Sequence, residues 1–188
     1  MSHTIWISND AVTLSLLCRD RIVSNRWLSG REMDACQTLL GRQFQHLVGL
    51  KPTYSFDLTP TRHTPRTRRL SCLRRENLSD KSSASDSIRQ TQVLHINGDH
   101  WVLVTNQHGG PENTVYVYDS RPHNPDNNFS HVVAAVFRFR KWSSFFISYP
   151  EMTSQKDGSS CGVYCIAYLT ALGCRRSPDL LEFRHEVR

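Results

Sequence analysis

The chain has 188 residues, 38% of them hydrophobic, which suits one core and leaves little room for two independent domains. No apolar run approaches the ~18 residues that cross a membrane, and the opening MSHTIWISND lacks the basic-then-apolar order of a secretion signal, so a soluble protein of the nucleus or cytoplasm without membrane contact is expected. A net charge of +6 and a pI near 9.2 favour acidic partners, protein or nucleic acid, without choosing between them.

In SNRWLSGREMDACQTLLGRQF, Met33, Cys36, Leu39, Leu40 and Phe44 recur at helical spacing, and Ser29 followed by Glu32 forms a capping-box pattern, so a helix is predicted over about 30–47. From about 59 to 90 the composition changes: Arg62, Arg66, Arg68, Arg69, Arg74, Arg75 and Lys81 stand among prolines and serines, the mark of a flexible basic insertion rather than a second domain. Such a run could contact phosphate, act as a nuclear import signal, attract an acidic protein face, or be a solvated loop. With no aromatic residue interleaved it offers no platform for stacking bases, which weakens the case for nucleic acid.

QVLHINGDHWVLVTNQHGGPENTVYVYDS holds three segments, 92–97, 100–105 and 114–119, rich in Val, Ile, Tyr and Trp and separated by Asn-Gly and Gly-Gly-Pro signals: a strand meander at the centre of a sheet. HVVAAVFRFRKW reads as helical, FFISY as a further strand, and CGVYCIAYLTALG as a buried helix ended by Gly173. In SPDLLEFRHEV, Ser177 is a candidate N-cap and Pro178 a first helical residue, predicting a short amphipathic helix. The order describes one α+β domain over 1–188, without internal repeats and expected as a monomer.

Six cysteines (Cys18, Cys36, Cys72, Cys161, Cys165, Cys174) at irregular spacing, with no export signal, are expected as reduced thiols. No C-x-x-C or H-x-x-x-H pair occurs, so neither a metal site nor another cofactor is expected. A hairpin folded about Gly109-Gly110 pairs positions whose numbers sum to 219, which sets His100 directly opposite Asp119. Opposed Cβ atoms lie about 5 Å apart, close enough for a carboxylate to accept a hydrogen bond from an imidazole. Singly, a strand-end histidine and a turn-starting aspartate are commonplace. Cys161, at the start of a helix, would feel the positive end of the macrodipole and a neighbouring imidazolium, both of which favour thiolate. Alternatively it is a small buried hydrophobe, the reading that suits Cys165, Cys36 and Cys174. Gln155, six residues upstream, is either a polar loop residue or an amide that joins the Cys161 backbone N–H in stabilising an oxyanion.

WLSGREMD, NGDHWVLV, VYVYDS and QKDGSSCGVY occur here in the order seen in the ubiquitin-like protease family, which the chain resembles over about residues 20–188. These are papain-like SUMO-specific and NEDD8-specific cysteine peptidases, distantly similar to the adenovirus protease; the wording also resembles protease domains encoded by mobile genetic elements. The resemblance implies a papain-like fold, a central, mostly antiparallel sheet flanked by helices, and cleavage of peptide or isopeptide bonds after the Gly-Gly tail of a ubiquitin-like protein or its conjugates. It further implies that Cys161 is the nucleophile, His100 the general base, Asp119 its orienting acid, Gln155 the oxyanion side chain and Gly162 the small residue after the nucleophile. Trp27 and Trp101 occupy the positions of the two tryptophans that enclose the Gly-Gly tail. Two positions depart from the pattern: Ser160 stands where the family usually has Asp, and Ser29-Gly30 where it usually has Asn-Asp, an aspartate that helps grip the modifier. Ser160 is still expected to cap the helix. Those departures and the basic insertion motivate an alternative, a catalytically silent module that binds a ubiquitin-like protein or nucleic acid.

Overall fold

The computed structural model describes residues 4–56, 89–107, 111, 113–121, 127–138 and 145–183. The chain opens with an antiparallel hairpin of β1 (Ile5–Ser8) and β2 (Thr13–Ser15), turned by the Asn9 side chain, whose Oδ1 accepts the N–H groups of Ala11 and Val12 at 2.8 Å. Helix α1 (Leu16–Val23) follows directly. The sequence reading predicted neither the hairpin nor α1, because both are short and carry weak periodicity.

Helix α2 (Gly30–Gln43) starts where the Ser29–Glu32 pattern places it: the Ser29 N–H donates to Glu32 Oε2 at 2.7 Å. It ends four residues earlier than predicted. Apolar spacing runs on through Phe44 and Leu47, but the chain bends so that the Phe44 ring lies against Gly173 and Leu47 enters the core. A side chain at Gly173 would place its Cβ 2.3 Å from Phe44 Cδ2, so glycine is needed there for close approach.

The main sheet runs β3 (Thr91–Ile96), β4 (His100–Thr105), β5 (Thr114–Tyr118), β6 (Phe146–Ser148); the first three are antiparallel and β6 joins β5 in parallel. Its strands are buried on both faces. Val93, Trp101, Leu103 and Tyr118 meet α2 and helix α4 (Cys161–Gly173) through Met33, Tyr164, Cys165, Tyr168 and Leu169. On the other face, Leu94, Ile96, Val102, Val104, Val115 and Val117 meet Phe129, Val133 and Val136 of helix α3 (Asn127–Val136). This is the α+β arrangement expected, with a mostly antiparallel sheet between helices. The region 59–90, apart from its last two residues, and the Gly109-Gly110 turn lie outside the described residues.

The helix predicted after Ser177 is reduced to one 3₁₀ turn, Pro178–Leu180. Beyond it, the Leu181 carbonyl accepts a hydrogen bond from Thr153 Oγ1 at 3.2 Å, and the Phe183 ring stacks on Tyr164 at 3.9 Å between centroids. Tertiary contacts therefore use groups that a continued helix would need.

Helices α1 and α2 are joined by a buried charge: Glu32, fully inaccessible, pairs with Arg21 Nη1 at 3.2 Å. Burial opposes ionisation of this carboxyl, yet hydrogen bonds from Cys18 and from the Ser29 side chain and backbone outweigh it and hold its pKa below the usual 4.5. A depressed carboxyl pKa means that the unfolded chain binds the proton more tightly, so its stabilisation is present above the unfolded pKa and is lost as pH falls through the folded value. Glu32→Ala should cost about 2 kcal/mol in urea unfolding at pH 7, and Glu32→Gln should lose less stability than wild type on acidification below about pH 4.5.

Candidate active site

His100 is the first residue of β4 and Asp119 the residue after β5, so the antiparallel pairing brings both to one end of the sheet. The register differs from the expected one. Leu103, Val104 and Thr105 face Tyr118, Val117 and Tyr116, pairs that sum to 221 rather than 219, so Asp119 is the diagonal neighbour of His100 and not its direct opposite. A slip of two residues preserves the face on which each side chain lies, whereas a slip of one would have separated them. The two side chains meet: His100 Nε2 and Asp119 Oδ1 are 2.6 Å apart, and the same oxygen accepts the Arg121 N–H at 2.8 Å. Both residues are buried.

Cys161 begins α4, at the end of the helix where N–H groups have no intrahelical acceptor. Gly162 lets the helix seat deeply, since a Cβ there would lie 3.1 Å from Met33 Sδ and 3.2 Å from Leu28 Cβ. Cys161 is fully buried and its thiol hydrogen-bonds with His100. Asp119 engages Nε2 of that ring, which leaves Nδ1 for the sulfur. Burial works against a thiolate, but the bond to His100, the Trp101 backbone N–H, the imidazole charge and the Trp27 side chain together bring the Cys161 pKa below its ordinary value. Burial likewise opposes charge on His100, and its bonds to Asp119 and Cys161 and their charges overcome that and raise its pKa to about 9. The pair is therefore thiolate and imidazolium at neutral pH. One turn on, burial alone pushes the Cys165 thiol well above its ordinary range, in keeping with a structural role.

Trp27 is 39% exposed and contacts the thiol, while Trp101 is core, 3% exposed, with its indole N–H donating to the Leu28 carbonyl at 2.9 Å. The His95 ring touches both indoles, with centroids 5.7 Å from Trp27 and 4.4 Å from Trp101. These aromatics border a cleft of about 640 Å³ that also takes in Arg21, Gly30 and Tyr54. At Gly30 a Cβ would come within 2.7 Å of Thr53 Oγ1, so an aspartate there would collide with the 53–56 turn unless Thr53 moved.

Gln155 lies in the loop before α4 and is tied to the residue after Asp119 in both directions. Its N–H donates to the Ser120 carbonyl at 2.8 Å, and its Oε1 accepts the Ser120 hydroxyl at 2.6 Å. Its Nε2 donates to the Asp157 carbonyl at 2.6 Å. Ser160 does not cap α4 with its own side chain. Its backbone is already helical, and the carboxylate of Asp157 instead accepts the N–H groups of Ser159 and Ser160, at 2.8 and 2.7 Å, and the Ser160 hydroxyl at 2.6 Å. His95, Ser120 and Asp157 escaped the sequence reading. Only His95 had a signal, since a hairpin about Asn97-Gly98 sets it across from Trp101.

No protein-family model matches the sequence, and no curated protein matches it. Solved structures do resemble it. The C-terminal Ulp1 protease domain in complex with Smt3, the yeast ortholog of SUMO, superposes with a TM-score of 0.61 at 14% identity, over 96% of this chain and 80% of that one. Ulp1 with its catalytic cysteine oxidised to a sulfonic acid gives 0.62 at 13% identity, over 97% and 82%. A de-sumoylating protease gives 0.58 at 12% identity, over 91% and 72%. The fold is that of the Ulp1 SUMO proteases, a papain-like cysteine protease fold.

A thiolate at neutral pH makes a specific prediction. Cys161 should be alkylated by iodoacetamide with a pH midpoint clearly below the ~8.5 of a free thiol, and His100→Ala should move that midpoint upward, as followed by mass spectrometry of the labelled peptide.

Proposed function

We propose that this chain is a cysteine peptidase of the ubiquitin-like protease family, cleaving peptide or isopeptide bonds after the Gly-Gly tail of a modifier such as SUMO or NEDD8. The observation that carries this reading is the His100–Asp119 pair, 2.6 Å across, beside a cysteine at a helix N-terminus. The likeness to SUMO proteases adds support at the level of the fold.

In this mechanism the Cys161 thiolate attacks the carbonyl carbon and forms a carbon–sulfur bond as the carbonyl electrons move onto oxygen. The Cys161 N–H and the Gln155 amide stabilise that oxyanion. His100 gives its Nδ1 proton to the leaving amine, the carbon–nitrogen bond breaks, and a thioester remains. His100, now neutral, takes a proton from water, whose oxygen attacks the thioester and releases the acid and the thiol. Asp119 holds Nε2 throughout, which keeps Nδ1 toward the sulfur and stabilises the imidazolium.

The cleft bordered by Trp27, His95 and Trp101 suits an extended diglycine, which has no side chains to collide with flat rings. With Gly30 in place of an aspartate, the modifier is gripped without that carboxylate.

SUMO and NEDD8 carrying a C-terminal electrophile should label wild type and leave Cys161→Ala unlabelled, with His100→Ala at least ~10²-fold slower. Absence of labelling by a folded wild type, together with failure to cleave a peptide library, would sink the reading in favour of a silent binding module. Cleavage should also decline as pH rises through about 9, where His100 loses the proton that the leaving amine needs.

A further inference from the structure

A glutamine serves an oxyanion only if its nitrogen, and not its oxygen, faces the reacting carbonyl, and an exposed glutamine amide is free to flip. Gln155 is held at both ends. Its Nε2 donates to the Asp157 backbone carbonyl, which only accepts, so a flipped amide would set two acceptors against each other. Its Oε1 takes the hydroxyl of Ser120, a residue 1% exposed. Donation to the amide oxygen polarises the amide and strengthens its N–H donors. The nitrogen carries two hydrogens and Asp157 engages one.

Asp157 also governs the second donor. Its carboxylate takes the N–H groups of Ser159 and Ser160, so the next N–H along the chain is that of Cys161, at the start of α4. One residue thus anchors the Gln155 amide with its main chain and the turn leading to Cys161 with its side chain.

We propose that Ser120 and Asp157 are positioning residues for the oxyanion site, orienting the two donors, Gln155 Nε2 and the Cys161 N–H, without touching substrate. This rests on the peptidase reading and goes beyond it. Asp157 restores, from three residues upstream, an acidic group at the helix start that Ser160 does not supply.

The test is a double-mutant cycle with cleavage kinetics, plus affinity for SUMO and NEDD8 ending in a glycine aldehyde, which binds as a tetrahedral adduct. Gln155→Ala should lower kcat by ~10² and Ser120→Ala by ~10-fold with KM nearly unchanged, aldehyde affinity falling in step with kcat. In the Gln155→Ala background, Ser120→Ala should cost less than about 2-fold, because the group it positions is gone. Iodoacetamide alkylation of Cys161, which develops no oxyanion, should keep its wild-type pH profile in Ser120→Ala. Asp157→Ala should lose activity and Asp157→Asn, which retains the accepting oxygen, should recover most of it; this pair carries the test if Ser120→Ala does not fold. Independent, multiplicative losses for Ser120 and Gln155, or an unchanged kcat in Ser120→Ala, would overturn the proposal while leaving the peptidase reading intact. A wild type that neither cleaves nor binds the aldehydes would defeat the peptidase reading itself, and the proposal with it.

Discussion

The depth at which α4 seats against α2 and the sheet governs the whole site. Gly162 permits approach to within van der Waals contact of Met33 and Leu28, and Gly173 does the same for Phe44 at the far end. With both ends of the helix pinned, its first residue, Cys161, has one place to be: at the end of the sheet where β4 begins and β5 stops. His100 and Asp119 are there because antiparallel pairing leaves the start of one strand beside the finish of the next. Packing by glycines and strand register thus assemble three chemically reactive side chains that lie far apart in sequence.

That placement puts charge where burial resists it. Cys161 and His100 are both inaccessible, and each alone would remain neutral there. Together they share the charge. Asp119 stabilises the imidazolium from one side, the thiolate from the other, and backbone N–H groups supply the remaining partners. Buried ionic groups of this kind contribute little net stability. Their value here is a nucleophile and a proton donor prepared before any substrate arrives.

Much of the fold was legible because the β3–β5 strands carry unbroken apolar stretches cut by Asn-Gly and Gly-Gly signals, and α4 is apolar on all sides. The β1–β2 hairpin and α1 were not, being short elements that owe their form to packing on α2. The predicted C-terminal helix failed for a tertiary reason, since Phe183 stacks on Tyr164 at the expense of helical hydrogen bonds. At the site, residues with distinctive chemistry could be named in advance, and the two-residue error in register was harmless because it kept parity. The hydroxyl of Ser120 and the carboxylate of Asp157 carried no such mark. A serine after a strand and an aspartate in a turn gain meaning only once the loop before α4 folds back onto the end of β5.

The thiolate–imidazolium pair is the centre of this account, and nitrogen NMR of the His100 ring reads it directly. With the histidines labelled at both ring nitrogens and His100 assigned through His100→Gln, wild type at pH 7.5 should show two protonated nitrogens, and Cys161→Ala should lower the pKa of that ring. A neutral His100 ring at pH 7.5, titrating near the ordinary value of 6.5 in wild type and variant alike, would contradict it.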